Sequence, residues 1–322
     1  MPQLKLFGKG RDTILACREY DYAGLLAETV ARHRHYAAQG EVASYIPELR
    51  KTDPTLAGCA LITPQALYEA GDTRYPFTLQ SISKVFSLLV ALEQRGVETV
   101  FAKVGSEPTG DSFNSIVKLE TSEQKPLNPM INAGAIAVCS LIPGDSVEER
   151  LGLVLKLLEK ILDRPVGIDE HVYHSEQETG HRNRALAHFL KDIDCLEGDV
   201  DEVLDLYFRQ CSILVDCTDL ARLGMFLAQK GVTAQGEQLI SPHLIRLVTT
   251  FMVTCGMYNA SGEFAIQVGI PAKSGVSGGI LAAVPGRFGV AAFGPALDKK
   301  GNSVVGVRML RHLSQALDLS IF

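Results

Sequence analysis

No stretch of this chain runs to about eighteen apolar residues without interruption, so a membrane-spanning helix is not expected. Long basic runs are also missing and the formal net charge is −6, which argues against nucleic acid or an anionic membrane as partner. The seven cysteines (Cys17, Cys59, Cys139, Cys195, Cys211, Cys217 and Cys255) form no C-x-x-C pair. An odd, scattered set reads as reduced, mostly buried thiols. The first residues, Met1 to Lys9, lack the apolar core of a secretion signal, so a cytoplasmic location is expected. G-x-G-x-x-G after a strand, a phosphate loop and H-E-x-x-H are all absent, so neither a nucleotide cofactor nor a zinc-protease site is expected. His171, His174, His181 and His188 lack a metal signature, and His33-Arg34-His35 reads as the basic last turn of a helix. No metal and no cofactor are therefore assigned.

What is present is ordinary for a soluble enzyme: 322 residues, 46% hydrophobic and 21% charged, enough for a large core or for two lobes with a cleft between them. Helical spacing marks residues 22–39. Gly58–Ile62 and Ala66–Ala70, split by Thr63-Pro64-Gln65, read as a hairpin. The middle reads as helices. One starts near Ile131, one runs from Ser146 to about Leu162, and one from a capping box at Ser175 to about Lys191. Others cover 202–214, 218–230 and, behind Ser241-Pro242, 242–255. Toward the end, 264–269, 278–284 and 288–294 read as strands and 303–317 as a closing helix. The fold class is therefore α/β in the α+β sense. An antiparallel sheet built from the N- and C-terminal segments is flanked by helices, with an all-helical lobe inserted. The expected division is a sheet lobe of about 1–76 and 258–322 and a helical lobe of about 77–257, within one catalytic domain.

The chemistry centres on Gln80-Ser81-Ile82-Ser83-Lys84. S-x-x-K occurs three times, at Ser81/Lys84, Ser115/Lys118 and Ser122/Lys125. Only Ser81 leads into a long apolar helix. The pair at 115 alternates like an extended segment, and the pair at 122 runs into Pro126. On a helix, positions three apart share a face, so the Lys84 amine is expected to reach the Ser81 hydroxyl. Serine needs a base to become a nucleophile, and a desolvated lysine can serve. Lys273-Ser274-Gly275 is the single K-[ST]-G, and it lies beside an expected strand. Serine helix first and K-[ST]-G strand later is the order of the serine acyl-transferases of the β-lactamase and DD-peptidase fold, which place a lysine on the facing strand.

At this point the chain resembles the bacterial serine-dependent glutaminases. The matching strings are Gln80 to Lys84, Glu107-Pro108-Thr109-Gly110 with Phe113-Asn114-Ser115, and Asn128-Pro129-Met130-Ile131-Asn132-Ala133-Gly134-Ala135-Ile136. Further on come Glu176 with Asn183, Tyr207 to Ser212, Tyr258, and Lys273-Ser274-Gly275-Val276-Ser277-Gly278-Gly279-Ile280. They run in order over most of the chain. Thr109 stands where the family has serine. The resemblance implies a β-lactamase-like fold, L-glutamine as substrate, and a homodimer or homotetramer. It implies that Ser81 attacks the side-chain amide, that Lys84 activates it, and that Tyr207 and Tyr258 serve proton transfer, with Tyr258 the leading base. The N–H groups of Ser81 and Val276 would form the oxyanion hole. Asn132, Glu176, Asn183 and Tyr207 would hold the amino-acid end, with Glu176 on its ammonium. Glu176 and Asn183, seven apart, are expected two turns apart on one helix. Read without the resemblance, Glu176 is an acid favoured in a first helical turn, and Asn132 is equally a buried amide between packed helices. Two other readings stay open: a penicillin-recognising hydrolase, and a non-catalytic amino-acid binder on the same scaffold.

Overall fold

The structure, a computed structural model, describes residues 20–110 and 125–322. The expectations for Cys17, Phe113 to Ser115, Lys118 and Ser122 lie outside them. Five strands make the main sheet: β1 (Gly58–Ile62), β2 (Leu67–Gly71), β5 (Ala272–Ser274), β6 (Gly279–Val284) and β7 (Phe288–Phe293), in the order β2-β1-β7-β6-β5, each pair antiparallel. The N-terminal hairpin docks on the C-terminal strands, with Ala60 opposite Ala291 across the β1–β7 seam. The 58–70 hairpin and the 278–294 strands are thus where the residue pattern places them. Two short strands, β3 (Phe77–Thr78) and β4 (Leu214–Val215), pair apart from this sheet.

Twelve α-helices are described: α1 (Tyr22–His33), α2 (Ser83–Arg95), α3 (Val97–Lys103), α4 (Asn132–Ser140), α5 (Val147–Leu162), α6 (Glu170–Thr179), α7 (His181–Asp192), α8 (Val200–Cys211), α9 (Cys217–Ala228), α10 (Pro242–Cys255), α11 (Ser261–Gln267) and α12 (Val304–Leu317). The central strands β1, β6 and β7 are buried on both faces, so they are apolar on alternate and intervening positions alike. Cys59, Leu61, Ala282, Val290 and Ala292 share a core with Leu26 and Val30 of α1 and Met309 and Leu313 of α12. Ala60, Leu281, Ala283, Ala291 and Phe293 face the other way, into the core formed by the middle helices. Helix α9 lies across that face, and its approach depends on two glycines. A Cβ on Gly224 would come within 2.3 Å of the Ala282 carbonyl oxygen, and one on Gly289 within 2.0 Å of the Ala221 carbonyl oxygen.

Several expectations are corrected. Residues 264–269 are no strand; they belong to α11 and the turn after it. Phe264 and Val268 are buried while Ile266 is 89% exposed, which is a helical pattern, since i and i+4 share a face. The helix expected from Ser175 to Lys191 is two helices. Asp169 caps the first, accepting from the N–H groups of His171 and Val172, and Gly180 separates it from the second. A side chain on Gly180 would run into the Phe208 ring. The helix expected over 202–214 ends at Cys211, because Leu214 and Val215 pair with β3.

Candidate active site

The pattern of backbone strain singles out two residues. Among the described residues, six non-glycine residues have positive φ: Gln80, Asp163, Asp194, Lys230, Tyr258 and Asp318. Four of these sit at or just beyond helix ends, where a left-handed residue is ordinary. Gln80 (φ +48°) and Tyr258 (φ +55°) do not. They flank one place in the molecule, and strain of this kind collects at functional sites.

Ser81 sits in the 3₁₀ turn Gln80–Ile82 between β3 and α2, not in the first turn of the helix itself. Its hydroxyl lies close enough to the Tyr258 phenol to oppose the rise that burial causes in that phenol's pKa, and the Tyr258 O–H donates to the Ser274 carbonyl at 3.1 Å. The expected direct bond from Lys84 to Ser81 is corrected. Lys84 Nζ donates instead to Asn132 Oδ1 at 2.7 Å and to the Met130 carbonyl at 3.2 Å. The cause is the 3₁₀-to-α junction, which puts the two residues in different kinds of turn, together with the acceptors that the Asn128–Asn132 loop brings. That loop is held by Asn128, whose amide oxygen accepts from the N–H groups of Met130 and Ile131 and whose amide nitrogen donates to the Glu107 carbonyl. Gly134 is required there, since a Cβ would lie 1.9 Å from the Asn128 carbonyl oxygen.

The K-S-G segment faces the Ser81 turn. Ser277 Oγ donates to the Thr78 carbonyl at 2.6 Å. A Cβ on Gly275 would sit 2.7 Å from the Leu79 carbonyl oxygen, so this glycine permits a close backbone approach. Among the described residues no backbone carbonyl accepts the N–H of Ser81 or of Val276.

A cavity of about 90 Å³ opens in front of Ser81, lined by Tyr45, Gln80, Asn132, Glu176, Asn183, Tyr207 and Val276 among others. Asn132 Nδ2 donates to Asn183 Oδ1 at 3.0 Å, joining α4 to α7. Glu176 and Asn183 therefore converge from two helices, not from one face of a single helix. Glu176 is buried, in the C-terminal half of α6, so the favourable first-turn dipole expected for it does not apply. Burial pushes its carboxyl up to about 7, against the opposing effects of a Gln80 hydrogen bond and the Lys84 charge. Burial likewise pushes the Lys84 amine down to about 8. The phenols of Tyr207 and Tyr258 are raised above their ordinary value, again by burial first. The cavity thus holds a potential cation partner, three amides and two phenols around one hydroxyl, which suits a small zwitterion with an amide.

The model of the glutaminase family matches residues 40–322. A glutaminase of Clostridium botulinum is 51% identical over 302 residues, covering 92% of this chain and 99% of its own. The chain belongs to the glutaminase family. Solved glutaminases agree with it in fold. A Bacillus glutaminase superposes with a TM-score of 0.87 at 42% identity, covering 93% of this chain and 99% of the other. The Bacillus subtilis glutaminase in covalent complex with 5-oxo-L-norleucine gives 0.85 at 41%, covering 93% and 99%. With this family go the β-lactamase-like fold and glutamine hydrolysis.

All eight residues named from the sequence gather around this site. Ser81, Asn132, Glu176, Asn183, Tyr207 and Val276 line the cavity. Tyr258 lies beside Ser81, and Lys84 bonds to Asn132. Tyr45 and Arg182 also line the cavity; no motif marks them, because they arrive from a loop and from the start of α7. Cys211 and Gln80 line it too and fall within the matching strings, which give them no role; Gln80 gains one from its positive φ and its effect on the Glu176 carboxyl. Among the described residues no group of three His, Cys, Asp or Glu is placed to hold a metal, and no helix is long and apolar enough to cross a membrane.

Proposed function

We propose that this glutaminase works through a γ-glutamyl ester on Ser81. The observation that carries the reading is the placement of Ser81, beside a Tyr258 phenol fixed on the Ser274 carbonyl, in a cavity walled by Glu176, Asn132 and Asn183. Ser81 Oγ attacks the side-chain carbonyl carbon of L-glutamine while its proton passes to the Lys84 amine, which burial lowers to about 8; Tyr258, which holds its own proton, serves as a relay, giving one proton up as it takes another. The C–N bond breaks, the nitrogen takes a proton, and ammonia leaves. Water then attacks the ester, releasing glutamate and returning the proton to Ser81 Oγ. The N–H groups of Ser81 and Val276 receive the developing oxyanion; their lack of a carbonyl acceptor supports this. Glu176 takes the substrate ammonium in a charge-assisted bond. Asn132, Asn183 and Tyr207 hold the rest of the amino-acid end.

Lys84 activates Ser81 once substrate competes for the Asn132 amide and frees Nζ; catalytic hydrogen bonds commonly tighten only with substrate bound. The covalent complex of the Bacillus subtilis relative with 5-oxo-L-norleucine supports an enzyme-bound acyl-like state. No step uses a metal.

The test is to treat the protein with 6-diazo-5-oxo-L-norleucine and map the adduct by peptide mass spectrometry. The adduct is expected on the peptide holding Ser81 and not in Ser81→Ala. Both Ser81→Ala and Lys84→Ala are expected to lower kcat for glutamine about 10³-fold or more. A label on another residue, or near-normal turnover in Ser81→Ala, refutes the mechanism. Nitrocefin hydrolysis exceeding glutamine hydrolysis would favour the penicillin-recognising alternative.

A further inference from the structure

Lys273 is a buried amine that the proposed mechanism leaves unused. It is fully buried and, among the described residues, forms no ion pair with a carboxylate. An ammonium in that position costs several kcal/mol of desolvation unless something recovers it. The protein's compensation is local. Lys273 Nζ donates to the Ser274 carbonyl at 2.7 Å and lies 4.5 Å from the centroid of the Tyr258 ring. Tyr258 O–H donates to that same carbonyl at 3.1 Å. The amine does not line the substrate cavity, so it is not placed to hold the substrate's carboxylate.

The geometry points to Lys273 as a positioning residue for Tyr258. The lysine pins the Ser274 carbonyl and the face of the phenol together, so that the Tyr258 O–H points at Ser274 and its oxygen lone pair at Ser81. The need for such a clamp is visible in the backbone. Tyr258 is held in a left-handed conformation (φ +55°), which relaxes unless its surroundings over-determine it. The orientation also sets the direction of hydrogen bonding at the nucleophile. A phenol whose own proton points away from Ser81 offers that hydroxyl a lone pair; a phenol turned round would offer it a donor. The same burial that makes the site expensive lowers the Lys273 amine well below an ordinary lysine, with the nearby Lys84 charge acting in the same sense.

This rests on the acyl-enzyme reading above and refines it. The experiment compares wild type, Lys273→Met, Tyr258→Phe and the double variant for kcat, KM and thermal midpoint. Replacing a buried amine that lacks a carboxylate partner among the described residues by an apolar side chain of similar length is expected to leave the Lys273→Met midpoint unchanged or higher. Its kcat for glutamine is expected to fall by about 10²-fold, within the range of a lost acid–base contribution, while KM stays within about threefold. Tyr258→Phe is expected to mask the lysine effect, the double variant being no slower than Tyr258→Phe alone. A lysine that merely supports the fold gives the opposite pattern, a lower midpoint with unchanged kcat per folded molecule. That result overturns the inference, and so do losses that multiply in the double variant. Should Lys273→Met fail to fold, Lys273→Arg in the same cycle decides, its added length displacing the clamp while keeping the charge. A wild type that does not hydrolyse glutamine, or that acylates elsewhere than at Ser81, defeats the underlying mechanism instead.

Discussion

Glu176 shows what the site asks of a single residue. Its carboxyl is buried at the wrong end of a helix for an anion, and its ordinary acidity is shifted up to about 7. A raised acid in the folded state means that the folded protein holds its proton more tightly than the unfolded chain does. The destabilisation it causes is absent below the ordinary carboxylate range. It grows as pH rises through about 4.5 to 7, and it is complete above 7. Binding needs the charged form, so stability and affinity pull against each other at this position. Glu176→Gln is therefore expected to raise the thermal midpoint at pH 8 and to raise KM for glutamine by about tenfold or more, the loss of a charge-assisted hydrogen bond. In wild type, kcat/KM should fall as pH drops below about 7, and that limb should vanish in the variant. An unchanged KM, or an acid limb that survives, would remove Glu176 from the ammonium role. Ser81 and Glu176 were both legible as residues, through motif order and resemblance. What the chain did not disclose was that Lys84 would turn to Asn132. That depends on a loop fifty positions away, and spacing along one helix carries no information about it.

At the scale of elements, the misreadings share one cause. Phe264, Ile266 and Val268 satisfy a period of two, but Phe264 and Val268 alone satisfy the helical i, i+4 rule as well. Only the exposure of Ile266 separates the two patterns, and exposure is a tertiary fact. Ser175 to Glu178 has the form of a capping box, yet Asp169 supplies the cap six residues earlier and Gly180 makes the break. The α1–α12 contact carries a prediction of its own. His33 lies edge-on to His312, ring centroids 5.4 Å apart, and both its ring nitrogens are buried without a partner. Thr29 Oγ1 is 3.1 Å from His312 Nδ1. Burial first, then His312, Arg32, Arg308 and His35, push the His33 imidazole down to about 4. A histidine lowered in the folded state contributes stability above its ordinary value near 6.5, and that contribution is lost as pH falls from there toward 4. His33→Leu should therefore flatten the decline of thermal midpoint between pH 6.5 and 4.5 relative to wild type. Parallel declines in both proteins would show that His33 is not what titrates.

Across the whole molecule, sheet and site are joined by a continuous run of elements. The Ser81 turn follows β3, β3 pairs with β4, and β4 runs directly into α9, whose glycine contact seats it on β6 and β7. Those strands receive β1 from the other end of the chain. The K-S-G segment that faces Ser81 is itself the edge strand β5 and the turn after it. The reading of the termini as one sheet came from apolar runs bounded by turns and held well. The way α9, from the middle of the chain, bridges sheet and nucleophile did not show, since a helix buried on one face looks the same in sequence whatever it covers. The consequence is that the Ser81 turn is tied to the sheet. In a urea titration, glutaminase activity, far-ultraviolet helicity and tyrosine fluorescence are expected to fall together, with one midpoint and one slope. Ala291→Glu, which places a carboxylate in the β7 layer beneath α9, should move all three to lower urea by the same amount, as burial of an unpaired charge requires. If activity were instead lost well before helicity, the Ser81 turn would be a separately melting unit, and the path from β7 through α9 to the nucleophile would not be what holds it.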